Sequence, residues 1–195
     1  EYINVSPCNG LTSIIYNGYT YDLVEIGGQC WFKENLRTTK YRDGSSIFSP
    51  GTDNNEWYNS NGTFASIYGA YSWYENDSIT YGSSYGPLYN WHTIVNSGGL
   101  CPVGWHVPTD CEWMYMENAL GMNISDQEVL GGGFSNSNLP PRGSNEGGML
   151  KSNVLWNNPN TGANNLSGFS AIPSGFRNNL SYMGLINEDA MFWTS

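Results

Sequence analysis

Cys101-Pro102-Val103-Gly104-Trp105-His106-Val107-Pro108-Thr109-Asp110-Cys111-Glu112-Trp113 is the stretch whose reading decides the fold. Trp105 and Val107 stand at alternate positions, as a strand would place them on one face. Pro108 cannot donate to a ladder and ends that strand. Thr109 with Glu112 three residues on makes a Thr-x-x-Glu capping box, which predicts a helix over Asp110 to Leu120. Trp113, Met116 and Leu120 then form one apolar stripe, and Gly121 is the expected stop. The stretch specifies a scaffold and carries no catalytic chemistry of its own.

Upstream, Ile14 to Ile26 alternates around Asn17-Gly18, which predicts a β-hairpin with a primed turn. Gly27-Gly28 is a second turn into a short strand at Gln29 to Phe32. Thr39 to Gly86 is rich in Gly, Asn, Ser and Tyr and reads mostly as loop held by Trp57, Tyr71, Trp73 and Tyr74. Leu88 to Val95 fits strand or helix equally, since periodicity does not separate them in so short a run. Downstream, a second helix is expected over Ile124 to Leu130, with Ser125 as its cap and Glu128 three residues on. Gly131 to Gly148 reads as loop. Phe169 to Ser195 reads as short antiparallel strands. No repeat or heptad is present, and no composition shift divides the chain, so residues 1–195 read as a single domain.

Only 12% of the 195 residues are charged, whereas 15% are aromatic. Trp and Tyr therefore supply the buried area in a loop-rich chain. The formal charge is −10. That opposes nucleic acid, whose binding needs basic patches, and it opposes anionic membrane surfaces. No run reaches the length needed to span a bilayer, so no membrane insertion is expected. Glu1 begins no signal-peptide pattern, and a start without Met suggests processing or trimming.

The four cysteines are Cys8, Cys30, Cys101 and Cys111, and none forms a Cys-x-x-Cys pair. Zinc is therefore not expected. Disulfides are the preferred reading, with Cys8–Cys30 and Cys101–Cys111 as the sequence-local pairing. Three connectivities are open, and buried free thiols remain the alternative. Oxidised cysteines would indicate an extracellular or cell-surface setting. His92 and His106 are the only histidines, and His106 beside Trp105 reads as a structural hydrogen-bonding residue. No Gly-x-Ser-x-Gly elbow or His-Glu-x-x-His is present. Asn158-Pro159-Asn160 resembles the carbonyl-Pro-carbonyl element of calcium-dependent lectins. However, Trp156 to Asn165 holds no carboxylate, and calcium needs several oxygens of that kind. No cofactor and no enzymatic activity are expected. The Asn61-Gly62-Thr63 sequon is a chance product of an Asn-rich chain.

A set of ordered motifs resembles the Fibrobacter succinogenes major paralogous domain family. The matching pieces are Gly18-Tyr19-Thr20-Tyr21, Ile26-Gly27-Gly28-Gln29-Cys30-Trp31, Glu34-Asn35-Leu36 and Tyr85-Gly86-Pro87-Leu88-Tyr89-Asn90-Trp91. The opening run, Leu150-Lys151-Ser152, Ser167-Gly168-Phe169-Ser170-Ala171 and Phe192-Trp193-Thr194-Ser195 complete the set. The resemblance implies an α+β, C-type lectin-like fold of the branch related to formylglycine-generating enzymes. Such a fold has a twisted antiparallel sheet, one or two helices and long loops. A fold of this kind does not by itself imply an activity. A formylglycine-generating enzyme would need a reactive cysteine pair, and Cys101 and Cys111 flank the scaffold motif instead.

Family members usually run on past the Phe-Trp-Thr-Ser segment, where this sequence stops. That layout is similar to the variable proteins of diversity-generating retroelements, in which Asn-type codons near the C-terminus are scrambled to build a binding face. The resemblance implies a ligand-binding region at about 164–191. Its expected contact residues are Asn164, Asn165, Asn178, Asn179, Ser181, Tyr182, Met183, Leu185, Ile186, Asn187, Glu188 and Asp189, facing a protein or cell-surface ligand. Tyr, Asn and Ser with a few apolar anchors suit a paratope, although the same composition fits an ordinary solvated hairpin loop. The competing expectation is a fixed-sequence structural or glycan-binding module of the same family.

Overall fold

The computed structural model describes residues 6–60, 68–129 and 142–195. It is a mixed α+β protein of short elements. The strands are β1 (Ser13–Tyr16), β2 (Tyr19–Ile26), β3 (Gln29–Phe32), β4 (Tyr71–Ser72), β5 (Leu88–Tyr89), β6 (Ser174–Arg177) and β7 (Met183–Ile186). The helices are α1 (Asn54–Ser60), α2 (Ser78–Tyr85), α3 (Trp91–Ile94), α4 (Asp110–Ala119), α5 (Ile124–Gln127) and α6 (Glu146–Leu150), with a 3-10 turn at Tyr74–Asn76. The strands form three small sheets among the described residues, ordered β1-β2-β3, β4-β5 and β6-β7, in place of the one twisted sheet expected. Expected positions at Asn61 to Thr63 and Leu130 to Pro141 lie outside the described residues or largely so.

The chain divides into two compact units. The first is built from Glu1–Ile14, Tyr21–Glu34 and Thr109–Ala171, the second from Ile15–Thr20, Asn35–Pro108 and Ile172–Ser195. In the first, β2 pairs antiparallel with β3, Leu23 facing Phe32 and Ile26 facing Gln29. The tight turn between them has Gly27 at φ +61°, where an added Cβ would stand 2.7 Å from the Ala119 Cβ of α4. Glycine thus serves both the left-handed turn and the close approach of helix to hairpin. An aromatic cluster fills the space beside it, with Trp31 5.0 Å from Trp113 and 6.0 Å from Phe169 between ring centroids.

Helix α4 starts as its sequence dictates. The Thr109 side chain accepts from the Glu112 N–H, and the Glu112 carboxylate accepts from the Thr109 N–H at 2.8 Å. Met116 is fully buried on the predicted stripe. Helix α5 is shorter than expected and starts at Ile124 after Asn123, so Ser125 lies within it and caps nothing. The motif around Leu150-Lys151-Ser152 meets Ala171 in a parallel bridge, with the Ala171 N–H donating to Leu150 O at 2.8 Å and the Ser152 N–H to Ala171 O at 2.9 Å.

The second unit is centred on buried Tyr41, Ile47 and Leu100, against which Leu36, Tyr71, Tyr89, Ile94 and Val107 pack. Here the loop expected over Thr39 to Gly86 contains α1, α2 and β4. Helix α2 has no apolar stripe to betray it, and Ile79 is left outside. It forms because the Asp77 carboxylate accepts from the N–H groups of Ile79 and Thr80 at 2.9 and 3.0 Å. The ambiguous run after Pro87 is both things in turn: strand β5, then helix α3, divided by Asn90. The Asn90 side chain caps the helix at the Thr93 N–H.

The strand expected through Trp105 and Val107 does not form. Trp105 N–H instead closes a turn onto Pro102 O at 3.0 Å, with Gly104 between them. The extended piece that follows forms no ladder. Val107 O and Pro108 O accept from the hydroxyl and the N–H of Ser195. Alternation in that run reflects Val107 packing on the core, and flanking prolines limit ladder pairing.

Cys8 and Cys30 form a disulfide in the first unit. Cys101 and Cys111 are free thiols, which corrects the second expected pair. Cys111 lies in the first turn of α4 with its side chain in solvent, whereas Cys101 lies in the turned segment of the other unit. Burial pushes the Cys101 thiol up to about 11, so it holds little thiolate at neutral pH. Thiol titration of the unfolded, non-reduced protein is expected to count two groups, and four after reduction. In the folded protein at pH 8, iodoacetamide should label Cys111 well before Cys101. A count of zero before reduction would contradict the assignment.

Candidate functional site

The C-terminal hairpin holds most of the expected contact residues. In β6 and β7, Phe176 faces Gly184 and Arg177 faces Met183. The turn between them is built by Asn178. Its side-chain oxygen accepts from the N–H groups of Leu180 and Tyr182, both at 2.9 Å, and its own N–H donates to Tyr182 O at 2.9 Å. The Trp57 indole N–H donates to Asn178 O at 2.7 Å, and the Ser181 hydroxyl donates to Asn54 O at 2.9 Å. Helix α1 thereby fixes the turn from one side.

Arg177 fixes it from beneath. Its guanidinium is buried, lies 4.5 Å above the Trp57 ring, and donates to the side-chain oxygens of Asn54 at 2.9 Å and Asn76 at 3.3 Å. No carboxylate pairs with it among the described residues. Burial lowers its pKa to about 10, so it remains charged at neutral pH. An unopposed buried cation is costly, and here it is offset by two amide oxygens and an indole face.

The structure sorts the expected contact residues by what their side chains do. Asn178 and Ser181 hold the turn. Met183 sulfur accepts from the Glu75 N–H at 2.9 Å, and Asn187 accepts from the Tyr85 hydroxyl at 2.5 Å. Leu185, Ile186 and Asp189 are half-buried, and Asp189 O accepts from the Gly175 N–H at 3.0 Å. Asn179, Tyr182 and Glu188 point into solvent. Asn164 and Asn165 belong to the other unit. There Asn164 accepts from the Leu166 N–H, and Asn165 accepts from the Ser170 N–H while donating to the Ser170 hydroxyl at 2.9 Å.

Leu180 is the residue that sequence reasoning passed over. It is 69% exposed, and Tyr182 two residues on is 63% exposed, on a turn whose N–H groups at Leu180, Ser181 and Tyr182 are all held by Asn178. The signal was present: Asn178 is an Asx-turn former, whose side chain takes up the backbone N–H two residues on and so marks a turn at 179–180. An emphasis on Asn-type codons favoured the asparagines themselves.

Among the described residues, no cluster of three or more His, Cys, Asp or Glu side chains is placed to hold a metal ion. Asn158–Pro159 is a cis peptide, and Asn160 donates to Ser152 O at 3.1 Å. Among the described residues, no helix is long and apolar enough to cross a membrane.

Comparison with known proteins adds one finding. Neither the curated proteins nor the solved structures gave a match. The profile of the Fibrobacter succinogenes major domain matches residues 24–195. The match runs from within β2, through the opening stretch and its capped helix, to the C-terminal hairpin and beyond. The chain belongs to the Fibrobacter succinogenes major domain family.

Proposed function

We propose that this chain is a non-enzymatic display module with a C-type lectin-like fold, and that the tip of its C-terminal hairpin binds a protein or cell-surface ligand. The observation that carries the reading is the division of labour in residues 177–182. Backbone and buried groups are tied down by Asn178, Trp57, Ser181 and Arg177, while Asn179 and Leu180 are exposed and Tyr182 lies half over Phe176 with most of its ring in solvent. A rigid turn bearing a large aromatic, an apolar and an amide side chain offers contact area at low entropy cost. The same arrangement suits diversification by a retroelement, because exposed side chains outside the hydrogen-bonded frame can change without unfolding the turn. The Cys8–Cys30 disulfide supports an extracellular or cell-surface setting.

The encoding locus tests the diversification. A near-copy of the 3′ segment differing only at template adenines, beside a reverse transcriptase gene, is the expected finding. Its mismatches should fall on the codons of Asn179, Tyr182 and Glu188 and spare those of Trp57 and Arg177. A locus with neither near-copy nor reverse transcriptase would refute diversification and leave the fixed-sequence module.

A further inference from the structure

A second exposed aromatic group lies in the same unit and is not part of the hairpin tip. Trp91 and Trp193 are 40% and 45% exposed, with ring centroids 5.8 Å apart and planes inclined by 54°. Contiguous exposed apolar surface marks an interaction site more often than singly scattered apolar residues do. Both are held in place. The Trp193 indole N–H donates to Tyr89 O at 2.9 Å. Beyond it, the Ser195 N–H and hydroxyl hold the following residues on Pro108 O and Val107 O. Trp91 opens helix α3 directly after fully buried Asn90, which anchors that end of the helix through six hydrogen bonds.

We infer that Trp91 and Trp193 form a stacking platform for a neutral glycan. The Trp193 N–H is spent on the protein, so that ring offers its face. Apolar C–H faces of a pyranose pack on indole faces, and the sugar hydroxyls keep their water. The Trp91 N–H makes no hydrogen bond among the described residues and is left as a donor. Charge selects the class of occupant. No Lys or Arg lies over the Trp91 or Trp193 ring among the described residues, and the chain carries a net charge of −10. Single-stranded nucleic acid also stacks on aromatic platforms, but it needs cations along its backbone. Acidic polysaccharides meet the same repulsion. A neutral sugar meets neither obstacle.

The test is tryptophan fluorescence titration of the full chain with cellohexaose, xylohexaose, mannohexaose and chitohexaose, and with polygalacturonate as the anionic arm. At least one neutral hexasaccharide should give a saturable shift. Trp91→Ala and Trp193→Ala should each weaken it about tenfold or more, and Trp91→Tyr, which keeps a ring, should lose far less. Tyr182→Ala should leave it unchanged, which separates this platform from the hairpin tip. Circular dichroism confirms that each variant is folded, and Trp91→Tyr carries the test if Trp91→Ala is not. Binding of none of the four sugars, preference for polygalacturonate, or indifference to both tryptophan substitutions would overturn the inference.

Discussion

Replacing Asn90 by Ala is expected to cost about 4 kcal/mol of stability, seen in calorimetry as a Tm lower by roughly 10 °C. Asn90 is 2% exposed. Its side-chain oxygen accepts from the Ala70 N–H at 2.9 Å, the Thr93 N–H at 3.0 Å and the Thr93 hydroxyl at 2.9 Å. Its amide donates to Tyr68 O at 3.0 Å and, at longer range, to Ser60. Truncation strands donors and acceptors that water cannot reach, and this costs more than the bonds themselves contribute. It also opens a small cavity. Asn90→Asp separates the two halves of the network. It keeps the acceptor and loses the donors, and it buries a charge, so burial raises its pKa above the ordinary carboxylate value. That variant should be weak at neutral pH and recover as pH falls through its folded pKa, because only the unfolded chain accommodates the ionised form freely. A Tm within a few degrees of the parent for Asn90→Ala would contradict the network's role.

Arg177→Ala is expected to cost about 3 kcal/mol, from two charge-assisted hydrogen bonds and the packing on Trp57. The loss is tempered because the cation no longer has to be desolvated, and exposed Asn54 can regain water. Arg177→Met should cost less than Arg177→Ala, since it still covers the Trp57 ring without burying a charge. Arg177→Lys should fall between parent and Ala, because one ammonium cannot hold Asn54 and Asn76 as the planar fork does. Hydrogen exchange locates the effect. The amides of Leu180 and Tyr182, held by Asn178, should exchange faster in Arg177→Ala. Protection in α4 measured at the same stability should not change. Uniform loss of protection would make Arg177 an ordinary core residue with no special hold on the hairpin.

The two local signals with strong chemistry were legible in the sequence. The Thr109–Glu112 box named helix α4 to within a residue, and Asn17-Gly18 and Gly27-Gly28 fixed the first two turns. Both depend only on neighbours a few residues away. The strand drawn through Trp105 and Val107 failed because alternation reports burial and not pairing, and the partner here is Ser195, far along the chain. Helices α1 and α2 were missed because they are seven and eight residues long and lie in Tyr- and Ser-rich sequence without an apolar stripe. Asp77 was the available clue. The free thiols were beyond reach, since cysteine spacing does not report which side chains a turn and a helix start leave apart. At the hairpin, composition could not separate Asn178, which builds the turn, from Asn179, which is displayed by it. That distinction depends on where each amide points.

The central claim is that residues 177–182 divide into a fixed frame and a free tip, and a substitution scan measures this most directly. Asn179 and Leu180 on one side, and Trp57, Arg177 and Asn178 on the other, are each replaced by every other residue, and the stability of each variant is read by proteolysis. The account predicts that most replacements at the two tip positions stay within about 0.5 kcal/mol of the parent, whereas most at the three frame positions lose more than about 1 kcal/mol. Equal sensitivity in the two sets would contradict it.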